Sequence, residues 1–292
     1  AQAVLRFMNS GSGQDNRKMK KRIACLLSFL LSLYTCTALA RHQQLMHNVY
    51  DTQESQSKVN EILSAVSFHG NELSYGERIA EISSRFLGTP YQAHTLIGSS
   101  LMQERLVTNP STVDCFTFLD YVRSMAHASS WQTYVSELVK TRYTNGMIDF
   151  TGRKHFFTDW AVTSPRNAQD VTQDISPYTI TVNKRLNQKN KRQEYVKGLG
   201  IISRRISYIP ASAIDKEVIN KLQTGDYVGI YSTKRGLDVS HVGIIIKDHN
   251  NIWFRNASSL AKNRKVVDSP FIRYMATKPG IVVLREKTDQ YP

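Results

Sequence analysis

The sequence predicts an α+β fold because its residue pattern changes about halfway along the chain. Up to about residue 142, apolar residues recur at the three- and four-residue spacing of amphipathic helices. From about residue 227, β-branched and aromatic runs alternate with short turn sequences, which is typical of antiparallel strands. Helices followed by strands favour an α+β domain in which the helices pack on an antiparallel sheet.

The first half of the chain contains four helix patterns and one stretch without a pattern. An apolar stripe that includes Val59 and Ile62 predicts a helix within an N-terminal helical segment, residues 41–70. Residues 92–110 are predicted to form a loop. The other three helices are expected at 74–87, with Gly88 as the C-cap, from 115 onward, and at 131–142.

The second half is predicted to form strands after a stretch that carries little pattern. Residues 164–205 are polar and basic. We interpret them as an insertion in a domain that spans residues 71–292, with one strand candidate at 178–182. Further strands are expected at 227–231, 241–247, 252–256 and 281–285, joined by turn sequences.

Residues 19–40 have the pattern of a secretory signal peptide. Basic residues at 20–22 and an apolar run at 23–33 precede an Ala-Leu-Ala sequence, and cleavage there would leave Arg41 as the first residue. A membrane-spanning helix is the alternative, but it needs about 20 apolar residues, more than this run supplies. We therefore expect an exported protein of the periplasm or cell envelope, without stable membrane insertion after cleavage, and treat residues 1–18 as an upstream extension.

Export would leave the mature chain with one cysteine. The chain has three, and Cys25 and Cys36 lie within the signal sequence, although lipid attachment at Cys36 stays open as an alternative. Cys115 then has no disulfide partner in its own chain, in a compartment that oxidises thiols. Such a residue is either protected by burial or used as a reactive group.

Cys115 lies where an apolar helix is expected to begin. The N-terminus of a helix carries a partial positive charge, which stabilises a thiolate and so favours a nucleophile. Phe116, Leu119 and Val122 supply the apolar stripe that would hold this helix in place. The alternative is that Cys115 is a small core residue.

His241 is the candidate base among the eight histidines. It opens the predicted strand at 241–247, where a sheet would hold its side chain rigidly, and Gly243 would allow another backbone or a substrate to approach closely. The turn at 248–251 would bring Asn256 beside it. Cysteine, histidine and asparagine in this chain order match the papain-type arrangement, in which an amide orients the imidazole. The alternative is a strand-end histidine bonded to a backbone carbonyl.

Neither a metal site nor a cofactor is predicted. The sequence has no Cys-x-x-Cys, no His-Glu motif and no histidine pair at helical spacing. The net charge of +14 predicts a basic surface, which outside the cytoplasm suits a polyanionic envelope polymer better than a nucleic acid. Solubility is the alternative explanation of this charge.

Seven separated motifs add a resemblance. They are Phe-Leu-Gly-Thr-Pro-Tyr at 86–91, Asp-Cys-Phe-Thr-Phe-Leu at 114–119, Arg-Lys-His-Phe-Phe-Thr-Asp-Trp at 153–160, Tyr-Ile-Pro at 208–210, Gly-Asp at 225–226, Gly-Leu-Asp at 236–238 and Ser-His-Val-Gly-Ile at 240–244. In this order they resemble the NlpC-type branch of papain-like cell-wall hydrolases, and more closely the N-acetylmuramoyl-L-alanine amidase-like family. The similarity covers about residues 79–285. One departure is Asn256, where the family is expected to carry a histidine before Ala-Ser-Ser.

The resemblance implies a papain-like, NlpC-type fold and hydrolysis of an amide bond in peptidoglycan or muropeptides. The expected bond joins N-acetylmuramic acid to L-alanine. Cys115 would attack its carbonyl, His241 would move the proton, Asn256 would orient the imidazole, and the Cys115 N–H with the Tyr91 hydroxyl would stabilise the oxyanion. The candidates for substrate binding are Tyr91, Asp114, Arg153, His155, Asp159, Trp160, Asp238 and Ser240.

Other interpretations stay open at this point. Tyr91 could be a ring packed after a helix end, and residues 153–160 could be a structural cluster with Trp160 in the core. A noncatalytic peptidoglycan-binding envelope protein, a stem-peptide endopeptidase and an acyltransferase that uses the same thiol are the alternative functions.

Overall fold

The computed structural model describes residues 23–24, 26–30, 49–67, 73–248 and 251–286. The chain divides into two compact units, Ala1–Val49 and Tyr50–Pro292. In the first unit, residues 23–24 and 26–30 are helical. The extension at 1–18, most of the predicted signal peptide and the histidines at 42, 47, 69 and 249 lie outside the described residues, so the predictions made on them stay predictions.

No helix within the described ranges is long and apolar enough to cross a membrane.

Four longer helices form where the sequence predicts them. Ser74 is the N-cap of the second, and its hydroxyl and the Glu77 carboxylate each bond the other residue's backbone N–H in a capping box. That helix ends at Ser84, three residues earlier than predicted, and the chain turns on to Gly88, whose φ of +84° suits glycine. The helices are α1 (Gln53–Ser67), α2 (Tyr75–Ser84), α3 (Cys115–Ala126) and α4 (Trp131–Arg142).

Eight strands of the second unit form one sheet, and every pairing in it is antiparallel. The strand order is β10-β9-β8-β7-β11-β6-β5, and β4 pairs with β11. This confirms the predicted α+β class. The strands are β4 (Gln169–Asp170), β5 (Ile180–Leu186), β6 (Ile202–Pro210), β7 (Tyr227–Tyr231), β8 (Val239–Asp248), β9 (Asn251–Ala257), β10 (Val266–Pro270) and β11 (Gly280–Arg285).

Both faces of this sheet are covered. On one face, Ile230, Ile245 and Phe254 belong to a buried cluster that also contains side chains from short helices. The long helix α3 packs against β8 and β9. Because α3 is buried along most of its length, the position of its first residue relative to β8 is fixed by the core. The short helices are α5 (Asp159–Val162), α6 (Thr172–Ile175), α7 (Lys216–Lys221) and α8 (Phe271–Met275), and single 3₁₀ turns lie at Thr144–Gly146 and Ala211–Ala213.

The prediction of a loop at residues 92–110 is wrong. The structure places two strands there, β2 (Ile97–Ser99) and β3 (Met102–Val107), which form a small antiparallel hairpin. Tyr50, in β1 (Val49–Tyr50), accepts a backbone hydrogen bond from Thr108 just after β3. The strand was missed because β3 carries charged residues whose burial depends on distant partners.

Residues 164–205, interpreted as an insertion, contribute to the main sheet. They hold β4, α6, β5 and the start of β6. The strand candidate at 178–182 overlaps β5, which pairs with β6 along its whole length. Whether this stretch is an insertion within a domain of residues 71–292 stays a prediction.

Candidate active site

Cys115 is the first residue of α3, where the sequence places it. Asp114 is the N-cap, and its Oδ1 accepts the N–H groups of Phe116 at 3.0 Å and Thr117 at 2.8 Å. The Thr117 hydroxyl accepts the Asp114 N–H at 2.9 Å, which completes a capping box. The half-buried thiol is thus held at a rigid helix start with a carboxylate beside it.

The helix start favours a thiolate as expected, but other parts of the surroundings oppose it. Burial and the Asp114 carboxylate raise the pKa of Cys115 to about 12. Hydrogen bonds from the N–H groups of Val242, Cys115 and Phe116 oppose this rise and are outweighed. The N-cap carboxylate offsets the partial positive charge of the helix start, and desolvation further disfavours the thiolate. The sulfur therefore needs a base.

The Val242 N–H that reaches the sulfur follows His241 directly. His241 pairs with Ile230 of β7, whereas Tyr231 pairs with Val239, so Ser240 is the extra residue of a β-bulge. Bulges re-aim side chains at the ends of sheets. The pairing between β8 and β9 covers residues 244–248 of β8, so Val242 lies beyond it, where α3 meets the strand.

The imidazole of His241 is hydrogen-bonded to Asn256, the neighbour expected from the predicted hairpin. Its Nε2 lies 3.0 Å from Asn256 Oδ1. The Asn256 amide nitrogen donates to the Phe254 carbonyl at 2.9 Å and to Ser269 Oγ at 3.2 Å, which assigns Oδ1 as the acceptor. His241 therefore carries its proton on Nε2, and Nδ1 is left with a lone pair.

Gly243 serves the packing of this hairpin. A Cβ at residue 243 would lie 2.6 Å from the Arg255 carbonyl oxygen and 2.6 Å from the Phe254 ring. That ring in turn stands edge-on to His241, with centroids 6.0 Å apart. The close approach expected at this glycine is made by another backbone and an aromatic ring, which support the imidazole.

The surroundings of His241 favour the neutral imidazole. Burial lowers its pKa below the usual 6.5, and Lys278 acts in the same direction, while the Asn256 hydrogen bond and the Asp114 carboxylate oppose it. A neutral histidine with a free Nδ1 is in the correct form to accept a proton.

The charge of Cys115 acts on two tyrosines, and the sequence identified only one of them. Burial raises the pKa of Tyr91, and the charges of Cys115 and Asp114 raise it further. Tyr274, on α8, has its pKa raised to about 12 by burial and by the charge of Cys115. Phe271 and Met275 give α8 an apolar pattern, but nothing in the sequence sets Tyr274 apart.

Each of these tyrosines carries a cation over its ring. Arg264 stands 5.2 Å from the centroid of Tyr91, and Lys278 stands 4.8 Å from that of Tyr274. A pocket of about 210 Å³ opens beside His241. It is lined by Ile230, Ser240, Ser258, Leu260, Tyr274 and Lys278. We call Cys115, His241 and Asn256 with this pocket the reactive cleft.

The predicted substrate-binding residues at 153–160, which we call the buried block, are tied to the protein itself. Arg153 forms an ion pair with Glu104, with a shortest distance of 2.6 Å, and Glu104 also accepts the Tyr143 hydroxyl at 2.7 Å. His155 Nε2 lies 2.7 Å from the Phe150 carbonyl oxygen, and burial lowers the pKa of His155.

At the far end of the buried block, Asp159 is also bonded to the protein. Asp159 accepts the Phe156 N–H on Oδ2 and the Arg204 guanidinium on Oδ1, at 3.0 and 2.9 Å. Trp160 is fully buried, with its ring edge-on to Tyr227 at a centroid distance of 5.0 Å. Substrate contact by these residues stays a prediction, and the geometry favours the alternative of a structural cluster.

Asp238 links the buried block to the histidine strand. Its Oδ2 accepts the Thr158 N–H at 2.8 Å and the Thr158 hydroxyl at 3.0 Å, while Oδ1 accepts the Val239 N–H at 2.8 Å. The side chain is only 2% exposed. It therefore fixes the start of β8, three residues before His241.

The described residues contain no group of three histidine, cysteine, aspartate or glutamate side chains that could hold a metal ion.

Comparison with known proteins agrees with the motifs. A family model described as N-acetylmuramoyl-L-alanine amidase-like matches residues 81–281, more than half of the chain. The chain belongs to this family. The match to this amidase-like family includes the reactive cleft and the buried block.

Two solved structures are similar to the amidase-like chain. An N-acetylmuramoyl-L-alanine amidase from Bacteroides uniformis is 28% identical, with a TM-score of 0.63 over 73% of this chain and 99% of its own. A protein from Legionella pneumophila shares the fold at 24% identity, with a TM-score of 0.67 over 80% of this chain and 94% of its own. A search of curated proteins found no match.

Proposed function

We propose that the protein is an exported cysteine amidase that hydrolyses the bond between N-acetylmuramic acid and L-alanine in peptidoglycan or muropeptides. The observation that carries this proposal is the hydrogen bond between His241 and Asn256, on the strand whose next N–H reaches the Cys115 sulfur. A nucleophile, a base and a group that orients the base are the parts that nucleophilic amide hydrolysis needs. In this proposal the fold is papain-like and of the NlpC type.

The first chemical step follows from the protonation states. Because the raised pKa of Cys115 favours the thiol and the lowered pKa of His241 favours the neutral imidazole, His241 Nδ1 takes the thiol proton as the sulfur attacks the carbonyl carbon. The charge that develops on the carbonyl oxygen is stabilised by the Cys115 N–H and the Tyr91 hydroxyl. The carbon–nitrogen bond then breaks, His241 gives its proton to the leaving amine, and a thioester remains on Cys115.

The second step returns the enzyme to its starting state. Water attacks the thioester carbonyl while His241 Nδ1 takes a proton from it. The carbon–sulfur bond breaks, the sulfur regains the proton, and the acid product leaves. Throughout, Asn256 Oδ1 holds the Nε2 proton and keeps the ring in one orientation.

Asp114 would act on both partners of the proton transfer. Its charge raises the pKa of the thiol and also raises that of His241. It thus disfavours a resting thiolate but stabilises the imidazolium that forms during attack. We infer that Asp114 acts in this way in addition to capping the helix.

Two features favour a second candidate, a noncatalytic peptidoglycan-binding protein on the same fold. The raised pKa of Cys115 leaves the thiol protonated at rest. Asn256 also replaces the expected family histidine. An amide oxygen still accepts the imidazole proton, and for this reason we favour the enzyme.

The test compares the wild-type protein with Cys115→Ala on purified peptidoglycan and on soluble muropeptides, with products identified by mass spectrometry. Free stem peptide beginning at L-alanine, from wild type alone, supports the amidase. A shorter peptide would show an endopeptidase. Identical results from both proteins would leave the binding protein as the better account. N-terminal sequencing of the exported protein checks cleavage before Arg41.

A further inference from the structure

Lys278 occupies an unusual electrostatic position in the reactive cleft. It lines the pocket of about 210 Å³ that His241 also lines, and its ammonium rests 4.8 Å from the centre of the Tyr274 ring. None of the ion pairs formed among the described residues involves Lys278. The pocket therefore contains a cation held by a ring face, without a carboxylate from the described chain against it.

The position of Lys278 is described relative to His241, which lines the same pocket. In the proposed reaction His241 gives its proton to the leaving amine, and the pocket that His241 lines is therefore where we infer that the leaving group binds. Tyr274 lies close enough to the sulfur for the charge of Cys115 to raise its pKa. Lys278 thus shares a pocket with the histidine that would protonate the leaving amine.

A bare cation at this point works against catalysis unless a ligand neutralises it. Lys278 lowers the pKa of His241 and so disfavours the imidazolium that forms during attack. A bound carboxylate on Lys278 would remove this penalty at the moment the substrate is in place. An ammonium that rests on an aromatic face still has N–H donors available, which suits it to anion binding.

We propose that Lys278 forms a carboxylate subsite on the leaving-group side of Cys115, which selects stem peptides that carry a free carboxylate near the new amine. This inference rests on the proposed function for its substrate. The subsite itself is a property of the cleft. Arg264 stands over the Tyr91 ring and is not among the residues that line the His241 pocket.

The first arm of the test measures the charge at the thiol without any turnover. The full chain is alkylated with iodoacetate, an anion, and with iodoacetamide, its neutral analogue, and peptide mapping quantifies the modification of Cys115 alone. Lys278→Met should lower the ratio of the two rates about three- to ten-fold at low salt. Lys278→Arg should keep the wild-type ratio. Lys58→Met, a matched charge removal on α1, should not change it.

The second arm measures selectivity with muropeptides whose carboxylate next to L-alanine is free or amidated. Wild type should prefer the free acid, and Lys278→Met should lose about ten-fold of that preference through KM. An alkylation ratio in Lys278→Met equal to that of wild type would overturn the subsite. Equal preference in wild type and Lys278→Met would overturn its role in selection. If wild type cleaves nothing while the alkylation ratio depends on Lys278, the proposed function fails and the subsite stands.

Discussion

The reactive cleft and the buried block both consist of residues from the family motifs, yet the structure treats them differently. In the cleft, Cys115 is a half-buried residue. Among the described residues, the hydrogen bond given for the His241 ring is the one from Nε2 to Asn256, which leaves Nδ1 for chemistry. In the buried block, the Arg153 guanidinium is spent on Glu104 and both Asp159 oxygens are occupied.

This difference separates two ways in which a motif residue serves a site. A side chain whose polar atoms are free acts on a ligand, whereas one whose polar atoms are occupied by the protein acts by placing other groups. Asp238 connects the two regions, since it binds Thr158 of the buried block and begins the strand of His241. The buried block therefore helps to position the strand that carries His241.

The largest expected difference between the regions is in activity when a histidine is removed. His241→Ala should lower kcat by about a thousand-fold, because the base is lost and the thiol stays protonated. His155→Ala is the matched control, since His155 is also a half-buried histidine with a lowered pKa, and should cost far less in steady-state assays. An equal loss of activity in both variants would contradict the distinction between the reactive cleft and the buried block, and would indicate that His155 contacts the substrate.

The complementary difference is in stability. Trp160→Ala should cost about 3–5 kcal/mol of unfolding free energy, because it empties a fully buried site between Tyr227 and Phe157. Trp253→Ala is the control, because Trp253 is only half-buried on β9, and it should cost less. Urea denaturation followed by circular dichroism measures both. A Trp160→Ala protein as stable as wild type would show that the ring is not a core element.

A smaller effect is expected when the imidazole loses its orienting group. Asn256→Ala should lower kcat about ten- to a hundred-fold and leave KM nearly unchanged, because the ring keeps its proton donor but loses its fixed orientation. Asn256→His should retain most activity, since a neutral imidazole also accepts the Nε2 proton. A wild-type kcat in Asn256→Ala would argue against the assigned role.

The smallest expected effect is the pH dependence of the cleft. The active form has neutral His241 and protonated Cys115. Because the pKa of His241 is lowered from 6.5, kcat/KM should fall only as the pH drops below that value, and because the pKa of Cys115 is about 12, no alkaline fall is expected near neutrality. A bell-shaped profile centred near pH 6 would instead indicate a thiolate–imidazolium pair.

The elements that carry Cys115, His241 and Asn256 are predictable because local pattern and motif determine them. The start of α3, the strand of His241 and its hairpin to Asn256 depend on caps, turns and alternation that neighbouring residues supply. The state of the thiol was not predictable, because it depends on how deeply α3 packs and on the competing charge of Asp114.

The errors in the prediction share a physical cause. Strand β3 contains Glu104, a buried carboxylate stabilised by Arg153 and Tyr143 from distant parts of the chain, and such pairing leaves no local signal. Lys278 and Tyr274 were missed for the same reason, since their place in the cleft depends on how α8 packs against β9 and β10. Local sequence pattern predicts helices and strands, whereas contacts between charged side chains from distant parts of the chain are seen only in the folded structure.

The central claim is that Cys115 forms a covalent intermediate, and trapping it is the most direct test. Wild-type protein would be quenched in acid during turnover of an N-acetylmuramoyl-L-alanyl peptide and mapped by mass spectrometry. The account predicts a muramoyl thioester on the peptide that contains Cys115, with neither the adduct nor product in Cys115→Ala. Product formation by Cys115→Ala at the wild-type rate would contradict it.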